Sequence, residues 1–182
     1  FRPNAPPSIV EDGQVAFNLW RGFTPPVEGD VQPFLDLHAH VFSNLRGEIA
    51  QLPLKLLAYK EQNPEKKVPL AIILIGKQGG GKGLWTECVS EAFAPYSTTL
   101  PSSALTEPNN GWLETSVLAV INEVEVGDMY RGKERLKSLV ADEYQRMNEK
   151  WRVGRQVRSP TCFVLTANNP AVASHAPDDR RN

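Results

Sequence analysis

The sequence has little that would staple or anchor it. Two cysteines, Cys88 and Cys162, occur in 182 residues. Both lie in apolar stretches without a cysteine or histidine close by, which excludes a disulfide framework and a thiolate metal site. They are expected as buried thiols of a reducing compartment. Histidine is equally sparse. His38 and His40 fall in a stretch expected to be helical, where side chains two apart diverge, so surface or core roles are expected rather than a metal pair; His175 stands alone. No apolar run reaches the roughly 18 residues that span a bilayer, and no secretory leader is visible. No repeat or low-complexity tract occurs. A formal net charge of -1 gives no bulk attraction to nucleic acid, so such a partner would need local basic segments.

What remains is ordinary globular composition, 41% hydrophobic and 23% charged, suited to one domain with at most a small appendage. The chain opens on Phe1 and closes on Asn182 in the manner of a piece of something longer. Residues 1–33 are rich in proline and are expected to be largely irregular, apart from a strand-like run at Val15–Trp20. From Phe34, apolar residues recur at helical spacing, predicting two helices that end near Asn63-Pro64 with a bend at Pro53. We divide the chain into an extended and helical segment, 1–66, and an α/β core, 67–182, with a mostly parallel sheet.

The core opens on Val68–Ile75, a continuous apolar run predicted as a parallel strand buried on both faces. It leads directly into Gly76-Lys77-Gln78-Gly79-Gly80-Gly81-Lys82-Gly83, and a helix is expected over 83–93. Gly76, Gly81 and Lys82 fit the phosphate-binding pattern G-x-x-x-x-G-K between a strand and a helix. Glycines let successive N–H groups turn toward one anion, the helix start adds partial positive charge, and the lysine supplies a full one. Gly76, Gln78, Gly79, Gly80, Gly81, Lys82, Gly83 and Leu84 are the expected nucleotide contacts. Gly83 stands where a serine or threonine ordinarily holds Mg²⁺, and Thr86 is a turn too far to replace it.

A second buried strand, Val117–Ile121, is expected beside the first and ends at Asn122-Glu123. Glu123 is the candidate water-activating base and metal ligand, with Asn122 able to act only through a metal-bound water and Glu125 a further carboxylate. A charged helix is expected over 131–139. A third strand, Thr161–Thr166, ends at Asn168, whose amide would hydrogen-bond a γ-phosphate or water at the sheet edge where ligands bind. The intervening basic stretch is predicted as a hairpin, with Lys150, Trp151, Arg152 and Arg155 combining charge for phosphates with an aromatic for base stacking.

Taken with Asn18-Leu19-Trp20-Arg21-Gly22-Phe23 and the terminal Asp178-Asp179-Arg180-Arg181, these motifs resemble the superfamily 3 helicase domain of AAA+ type, as in phage and plasmid primase-helicases related to the poxvirus primases. The resemblance covers about residues 17–181. It implies a P-loop NTPase core of three layers that uses ATP and Mg²⁺. It further implies Asn168 as sensor, Arg180 or Arg181 as arginine finger, and a hairpin that follows single-stranded DNA. It also implies a homo-hexamer in the full-length protein, an upstream primase domain, and a cytoplasmic location in a bacterial host, with no membrane partner. The two altered metal positions keep open a nucleotide-dependent assembly module with weak or no hydrolysis. A small-molecule kinase is a further alternative, for which neither a lid arginine cluster nor an acceptor pocket is visible.

Overall fold

A computed structural model describes residues 1–11 and 13–175. The chain begins with a two-stranded hairpin, β1 (Ser8–Glu11) and β2 (Gln14–Phe17), of which only the second strand was expected. Helices α1 (Gln32–Val41) and α2 (Glu48–Gln62) follow, with Pro53 buried inside α2. The core then alternates strand and helix: β3 (Ala71–Ile75), α3 (Lys82–Ala92), β4 (Ser97–Pro101), β5 (Leu118–Asn122) and α4 (Val126–Ala141). A separate hairpin, β6 (Tyr144–Met147) and β7 (Arg155–Arg158), precedes β8 (Cys162–Ala167) and the short α5 (Ala171–His175).

The main sheet has four strands in the order β3-β8-β5-β4, all parallel. Two expectations change here. The strand ending in Glu123 does not lie beside the strand feeding the glycine loop, because β8 lies between them. With strands spaced roughly 4.8 Å apart, this sets β3 and β5 roughly 10 Å apart. The run at 68–75 is not buried on both faces either: β3 is an edge strand and mostly half-buried, whereas β8 is buried throughout.

Alternate residues of the sheet point to opposite faces. Ile72, Leu74, Leu118, Val120, Cys162 and Val164 pack with Phe42, Leu57, Trp85 and Val89 from the α1–α3 side. Ala119, Ile121, Phe163 and Leu165 pack with Met129, Leu136 and Leu139 of α4 and Val172 of α5. The result is a three-layer α/β/α core. Both cysteines carry free thiols, Cys162 buried and Cys88 partly so. No helix among the described residues is long and apolar enough to cross a membrane.

The Asn18–Phe23 run has a packing role. Asn18 is fully buried and closes the N-terminal segment, its amide donating to the Arg2 and Ala5 carbonyls and accepting from Arg2 N and Trp20 N. Trp20 stacks on Tyr96 at 4.6 Å, and Phe23 meets Phe93 edge-on at 5.4 Å. Arg21 N donates to the Tyr96 hydroxyl, which itself donates to Leu19 O. The run therefore seals the junction between α3 and β4.

At the opposite end of the sheet from the strand C-termini, two lysines are drawn inward. Lys60, fully buried, donates to Pro64 O at 2.8 Å and Lys66 O at 2.7 Å. Lys67 donates to Leu139 O and Thr161 O. Burial lowers Lys60 to about 7 and Lys67 to about 8, and raises the Cys162 thiol to about 11. Folding thus disfavours both cations. Above pH 7 the unfolded chain holds protons that the folded chain has released, so stability rises with pH until thiol ionisation in the unfolded chain opposes it near pH 9. Unfolding free energy is expected to increase by about 3–4 kcal/mol from pH 6.5 to 9, and Lys60→Met to remove most of that rise. Denaturant titrations across this range check it; a flat wild-type profile would contradict it.

Candidate functional site

The strand order brings three separated segments to one edge. The loop after β3, the end of β5 and the end of β8 meet at a cleft of about 560 Å³, lined by Gln78, Glu123, Val124, Glu125, Val126, Gly127, Asn168 and Asn169. Glu123 and Asn168, assigned from sequence to the same chemistry, are both exposed on it.

The glycine loop is built as a cradle. Gly79 and Gly81 have φ of 80° and 79°, a left-handed conformation that glycine takes without strain. Gly76 N donates to Ala167 O, joining the loop to β8. The Lys82 ammonium lies across the loop, donating to Gly76 O at 2.7 Å and Lys77 O at 2.8 Å. Behind the loop stands α1: a side chain at Gly81 would meet Leu37 Cδ1 at 3.1 Å, Val41 Cγ2 at 3.3 Å and His40 Cδ2 at 3.7 Å. Helix α1 is fixed in turn by His38. The buried Trp85 indole donates to His38 Nδ1 at 3.2 Å, so that ring nitrogen is the acceptor and Nε2–H donates to Ala50 O at 2.8 Å. The two histidines diverge as their spacing predicted, His38 inward and His40 outward.

Glu123 is held at φ 53°, a conformation uncommon for residues with a side chain and concentrated at functional sites. Its backbone N–H donates to Thr166 Oγ1, and Val124 N donates to Thr166 O, so β8 sets the turn. Below it, Ser102 Oγ accepts from Glu125 N and donates to Asp128, whose carboxyl this bond and Arg131 hold below the usual carboxylate range. A divalent cation would find few protein ligands. Gly83 has no side chain, Thr86 is buried with its hydroxyl donated to Gly83 O at 2.8 Å, and Asn122 Oδ1 accepts a long bond from Thr166. Glu123 and Glu125 remain. Among the described residues no group of three or more histidine, cysteine, aspartate or glutamate side chains is placed to hold a metal.

The β6–β7 hairpin is anchored by a residue that the sequence reading did not single out. Buried Asn110 mimics a strand: its N–H donates to Asn148 O, its amide donates to Arg146 O, and its Oδ1 accepts from Asn148 N. Arg155 pairs with Glu114 and Arg152 with Glu149, so both are engaged within the molecule. Lys150 is exposed, and Trp151 is 99% exposed at φ 67°. Arg180 and Arg181 lie outside the described residues.

Residues 74–181 match a family described as "Family of unknown function (DUF5906)". The chain belongs to the DUF5906 family. This DUF5906 chain is similar over its whole length, at 24% identity, to a "DNA Primase-polymerase" of Nitratiruptor phage NrS-1, of which it spans 26%. Solved structures of the NrS-1 C-terminal region share its fold. One superposes with a TM-score of 0.83 at 22% identity, covering all of this chain and 44% of that one. Another gives 0.79 at 23% identity with the same coverage. The chain is therefore similar to part of a longer phage protein. The helicase resemblance is a narrower reading than these matches.

Proposed function

We propose that this chain is the nucleotide-binding part of a phage or plasmid replication protein, a P-loop ATPase of superfamily 3 type that drives movement along single-stranded DNA. The observation that carries the reading is the convergence of the glycine loop, Glu123 and Asn168 on one cleft. In it, Gly79–Lys82 cradle the phosphates of ATP, with Lys82 exchanging its loop carbonyls for phosphate oxygens. Glu123 accepts a proton from the attacking water, and Asn168 hydrogen-bonds the γ-phosphate. Mg²⁺, bound with ATP, would be held by Glu123 and the phosphates and would offset their charge. Lys150 and Trp151 at the hairpin tip supply a cation and a stacking face for DNA. The similarity to a fraction of a primase-polymerase supports a replication role within a longer chain; the motor itself rests on the cleft, with hexamer assembly and a primase domain supplied outside these residues.

The lack of a hydroxyl at Gly83 and the engagement of Thr86 favour one second reading, a nucleotide-dependent assembly module with little turnover. The rate of ATP hydrolysis by the longer protein, with and without single-stranded DNA, separates the two. Turnover that DNA accelerates is expected. ATP binding without turnover at any DNA concentration would leave the assembly module. Lys150→Ala with Trp151→Ala is expected to weaken DNA binding about tenfold or more and to reduce its salt dependence; unchanged binding removes the hairpin from the interface.

A further inference from the structure

The two ends of the glycine loop face different surroundings. At Gln78 lie the carboxylates and amides of the cleft, which suit a phosphate tail and a water molecule. At Gly81 the loop enters α3 against α1, with Leu37, Val41 and His40 within 3.7 Å of where a side chain would begin. Phosphates bound along 79–82, with the γ-end at Glu123, continue over the free N–H groups of the first turn of α3. Whatever the phosphates are attached to therefore leaves the loop on the α1 side.

The side chains offered there are exposed His40 and Leu84, the latter 56% exposed. His40 sits on a helix whose rotation is fixed, because His38 two residues earlier is buried between the Trp85 indole and Ala50 O. A flat imidazole on a rigid helix is what an aromatic heterocycle stacks on, and Leu84, three residues after Gly81 in the first turn of α3, adds an aliphatic chain on the same helix face. Leu84 is otherwise an exposed apolar residue in the first turn of a helix, next to the fully buried Trp85.

We propose that His40 and Leu84 form the base subsite of a nucleoside triphosphate, with the imidazole stacking on the nucleobase and Leu84 flanking it. This rests on the phosphate-site reading above. It makes α1 both the buttress behind Gly81 and the recognition element for the base. The subsite is thus built in part from the segment before the α/β core.

The test is equilibrium binding of ATP and of inorganic tripolyphosphate to the 182-residue chain, at matched magnesium, for wild type, His40→Ala and His40→Phe. His40→Ala is expected to weaken ATP about five- to tenfold, the loss of one stacked ring, while tripolyphosphate stays within about twofold of wild type. His40→Phe is expected to restore ATP binding. Because His40 is exposed, the unfolding midpoint should not move, which separates a lost contact from a damaged fold. If His40→Ala leaves ATP unchanged, or weakens both ligands equally, the base subsite is wrong although the phosphate site stands. If wild type binds tripolyphosphate as tightly as ATP, the subsite again fails alone. If wild type binds neither ligand, the phosphate-site reading fails and takes the base subsite with it.

Discussion

Lys82→Ala is expected to reduce ATP affinity at least a hundredfold and to abolish turnover in the longer protein. The ammonium is held over the loop by two backbone carbonyls of that same loop, Gly76 and Lys77, so it needs no new direction to meet phosphate oxygens. A unit charge about 4 Å from a phosphate is worth about 4 kcal/mol near a protein surface, and much of it is lost with the side chain. The carbonyls freed by the substitution face the partly open loop and can be hydrated. The unfolding midpoint should therefore hold while binding collapses, and paired nucleotide and denaturant titrations measure both. Lys82→Arg should not rescue, since the planar guanidinium replaces a compact ammonium. Wild-type affinity in the alanine variant would mean the loop does not bind triphosphate by this lysine.

The second large effect is on stability. Trp85→Ala is expected to cost about 4 kcal/mol of unfolding free energy, within the range for buried tryptophan truncation. Trp85 is fully buried, meets Phe42 edge-on at 5.4 Å, and donates to His38. Its loss opens a cavity between α1 and α3 and leaves His38 Nδ1 without its donor. A domain stable by only about 5–15 kcal/mol would then sit near unfolding at growth temperature. Urea unfolding measures the loss, and a change under about 1 kcal/mol would show that α1 contributes little to the fold. Trp85→Phe, which keeps an aromatic ring but removes the N–H donor and part of the volume, should cost less than alanine.

How far the sequence disclosed this molecule depends on how local each signal is. The glycine loop could be read because its strand, turn and helix are contiguous, and β5 and β8 because burial on both faces makes them continuous apolar runs. The start of α4 was not legible. Gly127 and Asp128 are poor helix formers, and the cap comes from Ser102, 23 positions upstream, which accepts from Glu125 N and donates to Asp128. Nor was α5 legible: it is short, with Asn169 accepting from Ala171 N just after Pro170. At the site, residue types were evident but their arrangement was not. Nothing in the order of the chain says that β8 separates β3 from β5, and that insertion places Asn168 between the glycine loop and Glu123. Asn110 was invisible for the same reason, since its partners lie 36 and 38 positions away.

That asparagine has a consequence for how the hairpin is joined to the sheet. Because Asn110 holds Arg146 of β6 and the following Asn148 through three hydrogen bonds and Glu114 holds β7, the hairpin is tied to the segment leading to Leu118. That segment runs into β5, and β7 runs through Ser159–Thr161 into β8. Those are the two strands whose far ends bear Glu123 and Asn168. The arm and the cleft therefore sit at opposite ends of the same two strands.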